Sequence, residues 1–396
     1  MKFKKLGNTE LNVSLICLGT MTFGDQVNEE NSFKQMDYAI DQGVNFFDTA
    51  EMYSSPCSKK SFGRTEMIIG NWIKKRNNRE KIILASKISG PGQPWIRGGG
   101  LQFTKENIPL AINGSLERLK TDYIDLYQLH WPERNYLGFL NDKKKSDKKY
   151  NEINISNFES VLNILKKFVD EGKIRYIGIS NETAGGLSKF LELSKLNDLP
   201  RVQSIQNAYN LLNRTFEKNL AEISISEKSG LLAYSPLAYG YLTGKYRNNQ
   251  KPKGSRLELF GDYYTRYSGE LSSLAIEKYF NVSQKYKISL AQLSLAFVNQ
   301  QNFITSNIIG ATTMGQLKEN IESVDINLNS EIIDELNAIH KENPNPYTQK
   351  EKRSFSKKLP SYISTAKKLI TRRDWDELFY KFNKIVIKPI KKFFKF

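Results

Sequence analysis

Short apolar runs rich in β-branched residues recur along the chain. Each is followed by a longer stretch whose apolar positions return every three or four residues. The short runs lie at residues 15–18, 45–48, 82–87, 123–130, 176–180, 203–206, 230–235 and 307–310. Their length and composition predict strands, and their near-continuous hydrophobicity predicts burial on both faces, as in a parallel sheet. The stretches at 29–42, 65–76, 105–119 and 158–171 carry the helical period. Gly43 and Gly172 follow two of them, where a left-handed residue ends a helix. Between the last two strands, residues 240–301 hold a basic, aromatic-rich loop at 251–267 and two further helical patterns. That is enough chain for a loop that closes over a ligand.

Eight strand–helix repeats fit either an open sheet or a closed (β/α)8 TIM barrel. Polar residues decide between them. Asp48, Lys87, His130, Ser180, Gln206 and Ser235 sit at the C-terminal ends of successive strands. In a barrel those ends make one ring around one pocket; in an open sheet they would be strung along an edge. The α/β barrel is therefore the expected fold, over residues 1–345. Pro344 and Pro346 mark its end.

Composition adds a second region. The net charge of +17 is uneven: residues 350–396 hold fifteen Lys and Arg against four Asp and Glu. The expected extension, 346–396, is basic and amphipathic, helical or irregular, with Trp375, Phe379 and Phe382 on one side of a helical pattern. Basic and apolar side chains together suit peripheral contact with an anionic membrane surface, against a flexible or barrel-docked tail. Nucleic acid is not an expected partner, and the oligomeric state is left open. A lysine-rich insert at 135–155 reads as a solvated loop. No run of eighteen apolar residues predicts a membrane span, and no apolar stretch behind the N-terminal lysines predicts a secretory signal. Two cysteines, Cys17 and Cys57, make no disulfide framework and fit a cytoplasmic setting. With only two histidines in the chain, no metal site is expected.

Four of the polar residues form an acid-catalysis set. A free tyrosine titrates near ~10 and is a poor donor at neutrality. A lysine beside it would lower that value; Lys87 is placed to do so for Tyr53, with Asp48 orienting the lysine. His130 can hydrogen-bond a carbonyl oxygen and polarise it. Taken singly, each has a plainer reading: His130 as a structural histidine, Asp48 as a helix cap, Lys87 as a charge at a strand end. The glycine clusters at 90–92 and 98–100 lack the strand and GK[ST] context of a phosphate loop and read as a loop beside the pocket. Cys57 reads as an ordinary loop cysteine, and Trp131, next to His130, as a candidate wall for the small-molecule substrate.

Ordered segments then carry a family resemblance: LGTMTFGDQ (18–26), FDTAEMY (47–53), LASK (84–87), DLYQLHWP (125–132), GKIRYIGISNE (172–182), AYSPL (233–237), LTGKY (242–246) and IGATTMGQLKEN (309–320). The chain resembles the aldo-keto reductases over roughly residues 1–345. The resemblance implies an enzyme that reduces a carbonyl substrate with NADPH, with Tyr53 as proton donor and Asp48, Lys87 and His130 around it. It places the cofactor on Thr20, Met21, Gln26 and Asp48. Ser180, Asn181 and Gln206 would take the carboxamide, with Tyr234 stacked on the nicotinamide. Ser235, Pro236, Leu237, Ala238, Gly240 and Lys245 would follow the pyrophosphate, closed over by Arg256, and Gly310, Thr312, Gln316, Glu319 and Asn320 would hold the adenosine end. Where many relatives carry a basic residue for the 2′-phosphate, this chain has Gln316, which keeps NADH as the alternative. A different function on the same fold is a cofactor-binding regulatory subunit of the potassium-channel β type, with little turnover.

Overall fold

The structure is a computed structural model and describes residues 1–134 and 157–348. The lysine-rich insert and the chain beyond Thr348, with its expected membrane-contacting side chains, lie outside the described residues. Two short strands, β1 (Phe3–Lys5) and β2 (Asn12–Ser14), pair antiparallel ahead of the barrel. The barrel strands are β3 (Ile16–Gly19), β4 (Phe46–Asp48), β5 (Ile83–Ile88), β6 (Ile124–Leu129), β7 (Ile174–Ser180), β8 (Val202–Ala208), β9 (Gly230–Tyr234) and β10 (Ile304–Ile309). They pair in parallel, each with the next, and β10 returns to β3 to close the ring. The barrel expectation holds, and all eight expected runs fall on these strands.

Helices separate the strands: α1 (Glu29–Asp41), α2 (Arg64–Arg76), α3 (Asn107–Leu119), α4 (Asn157–Asp170), α5 (Ala184–Leu196) and α6 (Leu220–Ser226). The long segment before β10 contains α7 (Arg256–Phe260), α8 (Glu270–Lys285) and α9 (Leu290–Asn299), and α10 (Met314–Glu322) and α11 (Ser330–Glu342) follow. Side-chain caps start several of them; Asn28 accepts from the Asn31 N–H at 2.9 Å and Asn329 from the Ile332 N–H at 3.0 Å. Gly43 and Gly172 take φ of 80° and 73° after α1 and α4, as expected for chain reversals there. No helix among the described residues is long and apolar enough to cross a membrane.

Alternation along each strand builds two cores. Leu18, Phe47, Leu84 and Tyr127 point outward and pack under the helices. Their neighbours Cys17, Phe46, Ala85 and Leu126 point inward and fill the barrel with Leu232 and Ile308. The β1–β2 hairpin plugs the N-terminal mouth by adding Leu6, Leu11 and Val13 to that interior cluster. Gly7 makes the turn at φ 61°, where an added Cβ would lie 2.5 Å from the Gln203 carbonyl oxygen. With one mouth closed by side chains, ligands have the C-terminal mouth to enter.

Candidate active site

The top of the apolar plug is polar. Asp48 ends β4 with only 3% of its surface exposed. Lys87, wholly buried in β5, donates to Asp48 Oδ2 at 2.6 Å and to the Thr49 carbonyl at 2.7 Å. The other carboxylate oxygen accepts from Gln206 Nε2 at 2.8 Å and Gln128 Nε2 at 3.2 Å, and the two glutamines bond each other at 3.1 Å. Asp48, Gln128 and Gln206 come from β4, β6 and β8, alternate strands whose side chains share one layer of a barrel interior. A buried carboxylate is tolerated there because every direction around it offers a donor.

Tyr53 stands above this layer, on the loop after β4. The Lys87 ammonium lies 5.0 Å from the centre of its ring, and His130 meets that ring edge-on with centroids 5.7 Å apart. Burial, then the Asp48 carboxylate, pushes the Tyr53 phenol well above its ordinary range. This corrects the expectation that Lys87 draws the phenol down: the ammonium is engaged by Asp48 and Thr49, so the pair presents little net positive charge to Tyr53. His130 lies one residue past the end of β6. Burial, then Lys87, holds its imidazole well below the usual histidine range, so the ring is neutral at physiological pH. Its Nδ1 is buried with no hydrogen-bond partner.

Both side chains face a cavity of about 770 Å³ at the C-terminal mouth. That is the size of a pocket for a large cofactor with a small substrate. Of the residues expected to hold a cofactor, all but one line it: Thr20, Met21, Gln26 and Asp48; Ser180, Asn181 and Gln206; Tyr234, Ser235, Pro236, Leu237, Gly240 and Lys245; Arg256; and Gly310, Thr312, Gln316, Glu319 and Asn320. Ala238 does not; it is fully buried beneath the turn that carries its neighbours. Lys87 lies behind the wall and donates to Asp48, which is part of it. Trp131 lines the cavity and packs 4.9 Å from His130, its indole donating to the Pro91 carbonyl at 3.1 Å. Gly90 lets it approach: a Cβ there would sit 2.3 Å from the indole nitrogen. The glycine-rich loop is thus a wall support. It is tied down further by Glu51, fully buried, which accepts from Ser89 N–H at 2.7 Å and from both terminal nitrogens of Arg97 at 2.6 and 2.8 Å.

The expected closing loop does cover the cavity. Tyr264 shares a hydrogen bond of 2.9 Å with Ser55, joining the loop to the Tyr53 segment. Gln128, Tyr239, Tyr263, Tyr264 and Arg266 were not expected at the site. Gln128 had a signal, a long amide in the middle of an apolar strand; the others sit in loop positions that only tertiary contacts fix. Cys57 lines the cavity, but burial pushes its thiol up to about 11, so a reactive thiolate is disfavoured.

The groove has the donors that a dinucleotide requires. Among the described residues no carboxylate pairs with Lys245 or Arg256, although burial and then Arg256 push the Lys245 ammonium below its ordinary range. Two neighbouring cations without counter-ions are suited to an anion. Beyond them, Thr313 caps the start of α10, and Gln316 folds back to accept from Thr312 N–H at 2.9 Å and its hydroxyl at 3.1 Å.

Comparison with known proteins agrees with this arrangement. Residues 15–341 match the model of the aldo/keto reductase family. The chain is 45% identical over 347 residues to the protein tas of Escherichia coli, covering 86% of this chain and 98% of that protein. It is 39% identical to an aldo-keto reductase of Babesia bovis over 61% of this chain and 88% of the relative. It is 32% identical to an uncharacterized oxidoreductase of Bacillus subtilis over 86% and 96% of the two chains. The closed barrel, the buried Asp48–Lys87 pair below Tyr53 and His130, and these matches together place the chain in the aldo/keto reductase family of nicotinamide-dependent oxidoreductases.

Proposed function

We propose that the protein reduces an aldehyde or ketone to an alcohol with NADPH, and that Tyr53 donates the proton. One observation carries the reading: Tyr53 and neutral His130 line the same cavity above a buried, hydrogen-bonded Asp48–Lys87 pair. The reduced nicotinamide, when bound, supplies the hydride. The chain's own residues do the rest. His130 donates a hydrogen bond to the carbonyl oxygen and draws electron density from the carbon. Charge then grows on that oxygen as an alkoxide forms. Tyr53 needs only to be a stronger acid than the product alcohol, and its raised value keeps the phenol protonated and ready until that charge develops. Lys87 and Asp48 fix the position of the ring and form a dipole beneath it.

Ser180 and Asn181 lie together, with Ser180 donating to the Gln206 carbonyl and Asn181 to the His130 carbonyl. They are the groups for the carboxamide, and the Gln206 amide oxygen, unused by Asp48, is a third. Tyr234 presents its face for the nicotinamide, its hydroxyl donating to Asn181 Oδ1 at 2.7 Å. Lys245 serves the pyrophosphate. NADPH is favoured over NADH by Arg256. Gln316 is occupied in holding its own turn, and the Arg256 guanidinium reaches within 4.0 Å of the Cβ position of Gly310. It thereby offers at the adenosine end the cation that Gln316 lacks.

The test is purified protein with NADPH and benzaldehyde, followed by the loss of reduced-nicotinamide absorbance. Turnover is expected, and Tyr53→Phe should lower kcat by about 10²–10⁴-fold while the NADPH Kd stays within about twofold. Tight NADPH binding with no oxidation across a broad panel of aldehydes and ketones would instead support the regulatory-subunit function.

A further inference from the structure

The arginines of this protein divide by partner. Arg79, Arg97, Arg118, Arg134, Arg214 and Arg247, half-buried in the barrel and its loops, each pair with a carboxylate. Arg266, on the loop over the cavity, is half-buried, lines the cavity and pairs with none among the described residues. Its neighbours are phenols. One terminal nitrogen lies 3.4 Å from the Tyr234 hydroxyl, a long hydrogen bond, and the guanidinium sits 5.7 Å from the centre of the Tyr239 ring. A half-buried guanidinium whose contacts among the described residues are all to neutral groups is left with its charge unpaired. An anion arriving from the cavity would supply it.

The position of Arg266 separates it from the cofactor's expected phosphates. Lys245 and Arg256 lie together, and Arg256 faces Gly310 on the adenosine side. Arg266 instead meets the hydroxyl end of Tyr234. That hydroxyl donates to Asn181, and Asn181 donates to the His130 carbonyl. Two hydrogen-bonded residues thus join Arg266 to the histidine that would polarise the substrate. Arg266, Tyr53, Tyr234 and Tyr239 all line the same cavity.

We infer that Arg266 is a specificity-determining residue that binds a carboxylate or other anionic group on the carbonyl substrate. The inference rests on the proposed reductase reading for the substrate's carbonyl, but anion binding itself does not need turnover. The substrate class is then an aldehyde or ketone that carries a negative group. With the face of Tyr234 given to the nicotinamide, the aromatic walls of Tyr239 and Trp131 suit an apolar body between the two ends.

The experiment uses benzoate as an inert anionic probe and benzamide as its neutral counterpart, titrated by calorimetry into the full-length protein saturated with NADPH. Benzoate should bind at least about tenfold more tightly than benzamide, the scale of one charge-assisted hydrogen-bonded pair. Arg266→Met should erase the difference, and Arg266→Lys should restore part of it. The NADPH Kd of both variants should stay within about twofold of the parent protein. Equal binding of the two probes to the parent protein would overturn the inference. So would a large loss of NADPH affinity in Arg266→Met, which would assign the arginine to a cofactor phosphate. Discrimination between the probes without any NADPH oxidation by benzaldehyde would leave the anion site standing and remove the reductase reading alone.

Discussion

Replacing Lys87 by Met removes a charge without removing bulk, and isolates what the buried ion pair contributes. The substitution leaves the Asp48 carboxylate, 3% exposed, with two neutral amide donors, and leaves the Thr49 carbonyl without its donor. Breaking one side of a buried pair costs about 3–5 kcal/mol. For the barrel unit Met1–Thr348, an unfolding entropy of about 2.1 cal/mol/K per residue amounts to about 0.7 kcal/mol/K, so the loss corresponds to about 4–7 °C in Tm. Asp48→Asn should fall by a similar amount, because it strands the ammonium. The double variant Asp48→Asn/Lys87→Met strands neither charge. What remains is the unsatisfied Thr49 carbonyl, about 1–3 kcal/mol, or about 1.5–4 °C. The assay is thermal unfolding by circular dichroism, without cofactor so that ligand binding does not contribute, at one scan rate with reversibility checked. If the double variant loses as much as the two single variants added together, the two residues act independently and the account of this site as one coupled pair is wrong.

With the Tyr53 phenol raised and the His130 imidazole lowered, neither group changes state near neutrality, so kcat for reduction should be flat from about pH 6.5 to 9. A limb in that range that disappears in His130→Asn would refute it. The unfolded chain's histidine takes up a proton near ~6.5 while the folded His130 does not. Stability should therefore decline as pH falls below that value, with His130 contributing up to about 1.4 kcal/mol per unit, and His130→Asn should reduce the slope in denaturant titrations to what remains from His340, which burial also lowers. Arg256→Ala should weaken NADPH by about tenfold or more and NADH by less; an equal loss for both would move Arg256 from the 2′-phosphate to the pyrophosphate. For the basic extension, full-length protein should co-sediment with anionic vesicles more than a form lacking residues 350–396, and equal partitioning would end the membrane proposal.

The barrel was legible because its signal is local and repeated: alternation within three- to seven-residue strands sends Cys17 inward and Leu18 outward, Phe46 inward and Phe47 outward. The β1–β2 hairpin escaped because its strands, Phe3–Lys5 and Asn12–Ser14, each hold one apolar residue among polar ones and show no apolar run. The catalytic residues were legible for a different reason. Asp48, Lys87 and His130 are polar groups at the ends of apolar strands, where burial is otherwise costly, and that cost makes them stand out. The pairing of Lys87 with Asp48 was expected from the sequence, but how far that pairing spends the ammonium was not: held by Asp48 and the Thr49 carbonyl together, Lys87 has little charge left to act on Tyr53.

Gln128 shows what the missing information was. Its side chain matters because β6 stands two places round the barrel from both β4 and β8, so that Asp48, Gln128 and Gln206 meet in a single layer. That meeting depends on the stagger of the whole barrel, a property that no strand carries alone. The layer in turn sets the depth of the site. Below it the interior is filled by Leu126, Phe46 and Leu232, and above it the cavity opens to Tyr53 and His130. A substrate can descend only to the point where hydrogen-bonded polar groups replace hydrocarbon. The chemistry sits at that boundary because there the donors can be held rigidly from below and still meet a carbonyl from above.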